Sequence, residues 1–85
     1  MNRRRLLARL ASGAFNNVAF ADLRNLAEGF GFELARASGS HHIFKHPAIS
    51  ELLTVQNVSG EAKPYQIRQL LRLVERYNLP LEDER

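Results

Sequence analysis

Three segments of the chain carry apolar residues at the spacing of amphipathic helices. The first covers residues 3 to 11, with Asn2 placed to cap its start and a Ser-Gly pair directly after its end. The second spans about residues 19 to 29 and stops at two glycines. The third begins at Pro64, a residue suited to the first position of a helix, and closes near Asn78. Its apolar stripe consists of Ile67, Leu70, Leu71, Val74 and Tyr77.

The segment between the second and third helices changes to a period of two, which is typical of β-strands. Residues 32 to 37 alternate as a half-buried strand, and a Ser-Gly-Ser turn leads into a second strand over residues 41 to 46. Residues 47 to 50 form the next turn, because Pro47 cannot donate a hydrogen bond to a ladder. Residues 52 to 55 supply the third strand. The pattern predicts an α+β fold with the element order α-α-β-β-β-α and a three-stranded sheet.

The register of the first hairpin decides which face of the sheet His41 occupies, because a slip of one residue moves every side chain to the other face. A two-residue turn would put Phe32 on the face of His41 and leave Phe44 with small alanines as neighbours. A three-residue loop that ends at a left-handed Gly39 instead pairs Phe32 with Phe44 and Ala35 with His41. We predict this second register. It directs Phe32, Leu34 and Phe44 toward the helices and His41, Ile43 and Lys45 toward solvent.

Composition and charge narrow the class of protein. The chain has no cysteine, which excludes a disulfide framework, a cysteine-ligated zinc site and a thiol nucleophile. Twelve basic residues against nine acidic ones give a formal net charge of +3, and most of the basic residues are arginines, which bind phosphate through two parallel hydrogen bonds. This balance is compatible with a nucleic acid or an acidic protein as the partner. Arg68, Arg72 and Arg76 form a basic ridge on the third helix, which is either a solvated face or a surface that contacts RNA.

The N-terminal run of three arginines followed by leucines has the outline of a secretory signal, but Arg9 interrupts its apolar part before the roughly 7 residues that such a signal needs. No stretch approaches the roughly 18 apolar residues of a membrane-spanning helix. We therefore expect a soluble, cytoplasmic protein without a membrane partner. Residues 1 to 17 are expected to form a helical extension and linker, residues 18 to 80 the main domain, and residues 81 to 85 a frayed tail.

The second strand contains three histidines, His41, His42 and His46, which raises the question of a metal site. Neighbouring residues on a strand point to opposite faces, and His42 and His46 would lie about 13 Å apart at 3.3 Å per residue. That separation is too long for two ligands of one ion with bonds of about 2 Å, so we predict no metal. His42 and His46 are expected to be packing or neutral surface residues. His41 faces solvent beside a glycine turn, which suits a group that exchanges protons.

The chain contains three further runs of interest, GFELAR at residues 31 to 36, GSHHIFKHP at residues 39 to 47 and KPYQIRQ at residues 63 to 69. Over residues 18 to 79 these runs resemble the HicA family of bacterial toxins, small messenger-RNA endoribonucleases that are paired with HicB antitoxins. The resemblance implies a fold like a double-stranded-RNA-binding domain, with helices on one face of a three-stranded antiparallel sheet. It also implies catalysis without a metal or a cofactor.

The resemblance assigns a site and a partner as well. The functional histidine of the family directly follows a Gly-Ser pair, which makes it His41 in this sequence. Family members halt growth by cutting messenger RNA in translating cells, and the antitoxin covers the active face. Many members carry a proline and a histidine near the end of the third strand, where this chain reads VQNV at residues 55 to 58. The resemblance therefore supplies no second catalytic imidazole.

Metal-free RNA cleavage needs a base for the 2′-hydroxyl proton, an acid for the leaving 5′-oxygen and positive charge near the phosphate. We expect His41 to be the base or the acid, and Lys45 or Lys63 to supply the charge. Further RNA contacts are expected from Arg36, Arg68 and Arg72, and the turn of Gly39 and Ser40 is expected to shape the site. Two other classes stay open, a non-catalytic RNA-binding module and a pure protein-interaction partner. A homodimer and a toxin–antitoxin hetero-oligomer are both compatible with the sequence.

Overall fold

The elements follow the predicted order. The computed structural model describes residues 2 to 82. They form the helices α1 (Arg3–Ala11), α2 (Phe20–Gly29) and α3 (Pro64–Tyr77) and the strands β1 (Glu33–Ser38), β2 (His41–His46) and β3 (Ile49–Gln56). The strands make one antiparallel sheet in the order β1-β2-β3. The predicted α+β fold and the order α-α-β-β-β-α are confirmed.

The helices begin and end where the sequence places their caps. The side chain of Asn2 accepts a hydrogen bond from the backbone nitrogen of Arg5 at 3.0 Å, which satisfies one free N–H of the first turn of α1. Pro64 occupies the start of α3, and Asn78 closes this helix in the left-handed conformation with φ of 54°. Leu10 of α1 is fully buried in the common core. Within residues 2 to 82, none of the helices has the length and hydrophobicity that crossing a bilayer requires.

The first hairpin differs from the predicted register. Ser38 pairs with His41, so the connection is a two-residue turn of Gly39 and Ser40, and the predicted three-residue loop is wrong. Gly39 has the left-handed φ of 59° that was expected of it. The register then shifts at Ala35, where a β-bulge adds one unpaired residue to β1.

The bulge explains why Leu34 still shares a face with Phe44, as predicted. An extra residue on one strand reverses the phase of the side chains beyond it. Leu34 is thereby brought opposite Phe44, although the turn is one residue shorter than expected. Phe44 is fully buried and His41 is exposed, so these two side chains lie on opposite faces of the sheet, as predicted. Leu34 lies on the buried face but is 39% exposed at the edge of the sheet.

Strand β3 is longer than the sequence indicated. It begins at Ile49, which pairs with His46 across a two-residue turn of Pro47 and Ala48. The prediction of a turn through residue 50 is therefore wrong for its last two residues. The register shifts between the Phe44–Leu53 and His46–Ile49 pairs, so the start of β3 contains an irregularity that the sequence pattern did not indicate.

One face of the sheet carries the core, and the other is open. Phe44, Leu53 and Val55 are buried on the first face, in one cluster with side chains of all three helices. The opposite face, here called the open face, presents Arg36, His41, Ile43, Lys45 and Thr54. Alternation along paired strands accounts for the two faces.

The buried face of α3 differs from the predicted apolar stripe. Ile67 and Leu70 are buried as expected, but Leu73 and Gln66 are buried with them. Tyr77, which the apolar pattern placed in the stripe, is 37% exposed. The polar Gln66 occupies a core position because its side chain bonds to the end of β3.

The predicted frayed tail is wrong for its first two residues. The backbone nitrogen of Glu82 donates to the carbonyl of Gly29 at 2.7 Å, and its carbonyl accepts from Arg3 at 2.9 Å. Leu81 packs against the core. The remaining residues of that tail, 83 to 85, lie outside the described residues.

Candidate active site

His41 is the first residue of β2 and projects from the open face of the sheet. It follows the turn of Gly39 and Ser40 and is flanked by Ser38 of β1 and Gln56 of β3. Its side chain is exposed, and within residues 2 to 82 no hydrogen bond or ion pair engages it. Both ring nitrogens are therefore accessible to a ligand, which proton transfer to or from that ligand requires.

The backbone that leads into His41 is held from two sides. The carbonyl of Ser40 accepts hydrogen bonds from the backbone nitrogen of Asn57 at 2.8 Å and from Nδ1 of His42 at 3.1 Å. The ring of His42 lies against Phe20 of α2, with the ring centroids 4.6 Å apart. His42 is thus a packing residue, as predicted, and it fixes the turn that presents its neighbour His41.

A buried glutamine connects this end of the sheet to α3. Gln66 is only 3% exposed, and its Oε1 accepts a hydrogen bond from the backbone nitrogen of Gln56 at 2.7 Å. The side chain of Gln56 in turn donates to Oγ of Ser40 at 3.4 Å. The first turn of α3 is thereby tied to the strand position that faces His41.

No sequence motif predicted a role for Gln66, Gln56 or Tyr65. Spacing supplies one signal for Gln66, because it precedes Leu70 and Leu73 by four and seven residues and so shares their helix face. A polar side chain on a buried helix face needs a hydrogen-bond partner. Its partner, the backbone of β3, becomes visible only in the folded chain.

Positive charge lies beside His41 on the open face. Arg36 is opposite Ile43, and Ile43 lies between His41 and Lys45 on β2. Arg36 is therefore a diagonal neighbour of His41, a distance that a long side chain spans. Lys45 is exposed, but it pairs with Glu33, which partly offsets its charge. The structure thus brings Arg36 and Lys45 to the same face as the histidine.

Lys63 lies at the end of the molecule that contains His41. It occupies the N-cap position of α3, and no side chain caps the helix start there. The first turn of α3 reaches the end of β3 through Gln66, so Lys63 and the start of the helix lie near the same edge of the sheet. An anion is favoured at such a position by the helix dipole and by the lysine charge.

The other two predicted RNA contacts lie in a different layer. Arg68 and Arg72 project from the exposed side of α3, whose opposite side packs into the core against the sheet. The guanidinium of Arg68 lies over the ring of Phe15, 5.2 Å from its centroid. The structure therefore does not bring Arg68 or Arg72 together with His41, because the sheet separates them.

His46 is a packing histidine at the far end of β2, as predicted. Its Nε2 donates to the carbonyl of Phe30 at 3.0 Å, and its Nδ1 accepts from the backbone nitrogen of Ala48 at 3.0 Å. The ring meets Phe32 edge-on, with centroids 5.1 Å apart. A Cβ on Gly31, whose φ is 100°, would approach Nε2 to 2.7 Å, so this packing requires glycine. Across residues 2 to 82, no group of three or more histidine, aspartate or glutamate side chains could hold a metal ion.

One family of known proteins matches the chain over the segment that contains the sheet. The family model of the HicA toxin of bacterial toxin–antitoxin systems matches residues 20 to 75, a segment that contains α2, the whole sheet and most of α3. No match was found among curated proteins or among solved structures. Since the family model covers well over half of the sequence, the chain belongs to the HicA toxin family of bacterial toxin–antitoxin systems.

Proposed function

We propose that this HicA-family toxin is a metal-independent endoribonuclease that cleaves messenger RNA and that His41 transfers a proton in the reaction. The observation that carries the proposal is the state of His41. Its imidazole is exposed and unengaged by any residue from 2 to 82, yet the turn before it is held by the hydrogen bonds of Ser40. A fixed backbone with a free imidazole is the arrangement that general acid–base catalysis uses.

The reaction that such a site supports is transfer of the phosphoryl group to the neighbouring 2′-oxygen. The 2′-hydroxyl loses its proton and attacks phosphorus, and the bond from phosphorus to the 5′-oxygen breaks as that oxygen gains a proton. The products are a 2′,3′-cyclic phosphate and a free 5′-hydroxyl. His41 is the base for the first proton or the acid for the second, and the other proton is exchanged with water. Such a group contributes about 10²- to 10⁴-fold in rate.

Cationic side chains would stabilise the charge that develops on the phosphate. Arg36 is the diagonal neighbour of His41, and its planar guanidinium can bind two phosphate oxygens at once. Lys45 and Lys63 are further candidates, the second together with the uncapped start of α3. Arg68 and Arg72 would contact only RNA that continues around the edge of β3 to the helical layer.

The family and the proposed substrate support a partner and a location for the protein. We propose that a HicB-type antitoxin neutralises the toxin by covering the open face, which no element of residues 2 to 82 packs against. A messenger RNA substrate supports a cytoplasmic location. In the resting state the protein would be part of a toxin–antitoxin hetero-oligomer, and a free homodimer is the competing assembly.

The test is cleavage of a labelled single-stranded messenger RNA by purified protein in excess EDTA. The unmodified chain is expected to cut the RNA, and His41→Ala is expected to be slower by about 10²- to 10⁴-fold. His46→Gln is the matched control, since it replaces a histidine of the same strand that lies at the opposite end and packs inside the protein. It is expected to retain activity at a temperature where all three chains are folded.

Each contrary result removes a different part of the proposal. Loss of cleavage in EDTA that Mg²⁺ restores would overturn metal independence. Equal rates for His41→Ala and the unmodified chain would remove His41 from the mechanism. RNA that is bound but stays intact would favour the non-catalytic RNA-binding module.

A further inference from the structure

Tyr65 is an exposed aromatic residue whose ring is held in place. It is the second residue of α3 and is 58% exposed, the highest value among the large hydrophobic residues that lie on the surface of residues 2 to 82. Its hydroxyl accepts a hydrogen bond from Nε2 of Gln66 at 3.4 Å. Gln66 is itself buried and bonded to the backbone of Gln56. An exposed ring that is anchored to a buried amide loses little conformational freedom when a ligand packs on it.

The position of Tyr65 relates it to the candidate site. Gln56 is directly opposite His41 in the sheet, and Gln66 joins Gln56 to the first turn of α3. Tyr65 therefore lies just outside β3, which is an edge strand of the sheet. Gln56 and Gln66 are the residues that connect it to His41. Lys63, two residues earlier, adds positive charge at the same edge.

We propose that Tyr65 is a stacking platform for an unpaired base of the RNA substrate, next to the nucleotide whose phosphate lies at His41. This inference rests on the proposed function and extends it to the form of the substrate. Aromatic side chains bind single-stranded RNA by stacking on its bases, and a neighbouring cation holds the phosphates. A base within a duplex already has both faces covered, so the platform selects single-stranded RNA over a helix.

The second tyrosine of the chain does not have these properties. Tyr77 lies at the opposite end of α3, and the carboxylate of Glu51 is beside it. A carboxylate repels the phosphates of a strand that would stack there. Tyr77 is therefore a control for Tyr65 within the same chain, because it lies away from the proposed platform.

Fluorescence can report stacking directly, because the chain has two tyrosines and no tryptophan. Both reporter proteins carry His41→Ala, so the RNA stays intact during the titration. Tyr77→Phe leaves Tyr65 as the single emitter, and Tyr65→Phe leaves Tyr77 as the single emitter. On addition of a single-stranded RNA oligonucleotide, emission from Tyr65 is expected to fall in step with binding, and emission from Tyr77 is expected to stay constant.

Affinity provides the second measurement on the same background. Tyr65→Leu keeps an apolar side chain but removes the aromatic face, and it is expected to weaken binding of the oligonucleotide by about 5- to 100-fold, the range that a stacked base supplies. Tyr65→Phe keeps the face and is expected to bind almost as the parent does. Circular dichroism spectra establish that both chains are folded.

The outcomes separate this inference from the proposed function. Constant Tyr65 emission at saturating RNA, or equal affinity for the leucine and phenylalanine variants, would overturn the platform, while cleavage by the unmodified chain would leave the endoribonuclease standing. Quenching of Tyr65 by RNA that the unmodified chain does not cut would support the platform and contradict the endoribonuclease. Absence of any RNA binding would overturn the platform and the proposed function together.

Discussion

The two ends of the molecule use similar side chains for different purposes. The end here called the turn end contains His41, Tyr65 and Lys63, and the opposite end, the tail end, contains His46 and Tyr77. At the tail end the imidazole bonds through both nitrogens to backbone groups. At the turn end the imidazole is exposed and unengaged within residues 2 to 82, and the bonded groups are those beneath it.

This difference separates a histidine that holds the fold together from one whose ring is free for a ligand. A histidine whose two nitrogens hold the fold together cannot exchange a proton without breaking those bonds. At the turn end the internal bonds are made by Ser40, Gln56 and Gln66, which leaves the groups above them free for a ligand. The hydrogen bonds of each histidine ring therefore say more about function than the number of histidines in the sequence.

The largest expected effect is a difference in the free energy of unfolding between variants that lack His46 and His41. We expect His46→Ala to lower the free energy of unfolding by about 1–3 kcal/mol, because the carbonyl of Phe30 and the N–H of Ala48 lose their partner. His41→Ala should leave the free energy of unfolding within about 0.5 kcal/mol, because an exposed side chain without partners contributes little to the fold. Urea unfolding followed by circular dichroism measures both values.

A loss of stability in His41→Ala as large as that in His46→Ala would contradict the comparison. It would mean that His41 holds the turn rather than being presented by it. The control for the urea experiment is the slope of unfolding against denaturant, which should be the same for the three chains if all unfold from an equally compact state.

The fold was predictable where a local pattern and the final packing agree. The helical spacing and the caps at Asn2 and Asn78 gave all three helices within one or two residues, because these signals act inside the element that they mark. The faces of His41 and Phe44 were predicted correctly, although the three-residue loop from which they were derived is wrong. The bulge at Ala35 was not predicted, because pairing with another strand decides it.

The site was predictable only in part, because its residues come together across layers. His41 was predicted from its motif and from its place after Gly39 and Ser40, and its catalytic role stays a prediction. Sequence spacing could not show that Arg72 lies behind the sheet, since position along the chain says nothing about which layer a helix occupies. Gln66 lies outside the predicted apolar stripe and so had no expected role, although it ties α3 to the strand opposite His41.

The dependence of RNA binding on salt should show whether RNA lies on the open face of the sheet or on the exposed side of α3. Arg36 and Arg72 are both exposed arginines, and replacing either with alanine removes one positive charge. In the His41→Ala background, Arg36→Ala should reduce the slope of log affinity against log salt by about 0.7, the value for one phosphate contact in a single strand. Arg72→Ala is the matched control and should leave the slope unchanged, because the sheet lies between it and the open face.

Two results would contradict the expectation that Arg36 contacts the phosphates of RNA and Arg72 does not. Equal reductions in slope for both variants would indicate that RNA reaches the helical layer as well as the open face. A reduction for Arg72→Ala alone would move the RNA-binding surface to α3 and away from His41.

The smallest expected effect is at the tail end, where Glu51 acts on the phenol of Tyr77. A side-chain hydrogen bond to Glu51 raises the pKa of Tyr77 above its ordinary value of 10.0, the negative charge of Glu51 adds to the shift, and Arg76 opposes it. Because the pKa is raised in the folded chain, this contact stabilises the fold below pH 10.0 and is lost as pH increases through the raised pKa. In a Tyr65→Phe chain, the midpoint of the rise in tyrosinate absorbance should therefore lie above pH 10.0, and adding Glu51→Gln should lower that midpoint. The same midpoint in both chains would show that Tyr77 is as unengaged as His41, and the contrast between the two ends would then hold for the histidines alone.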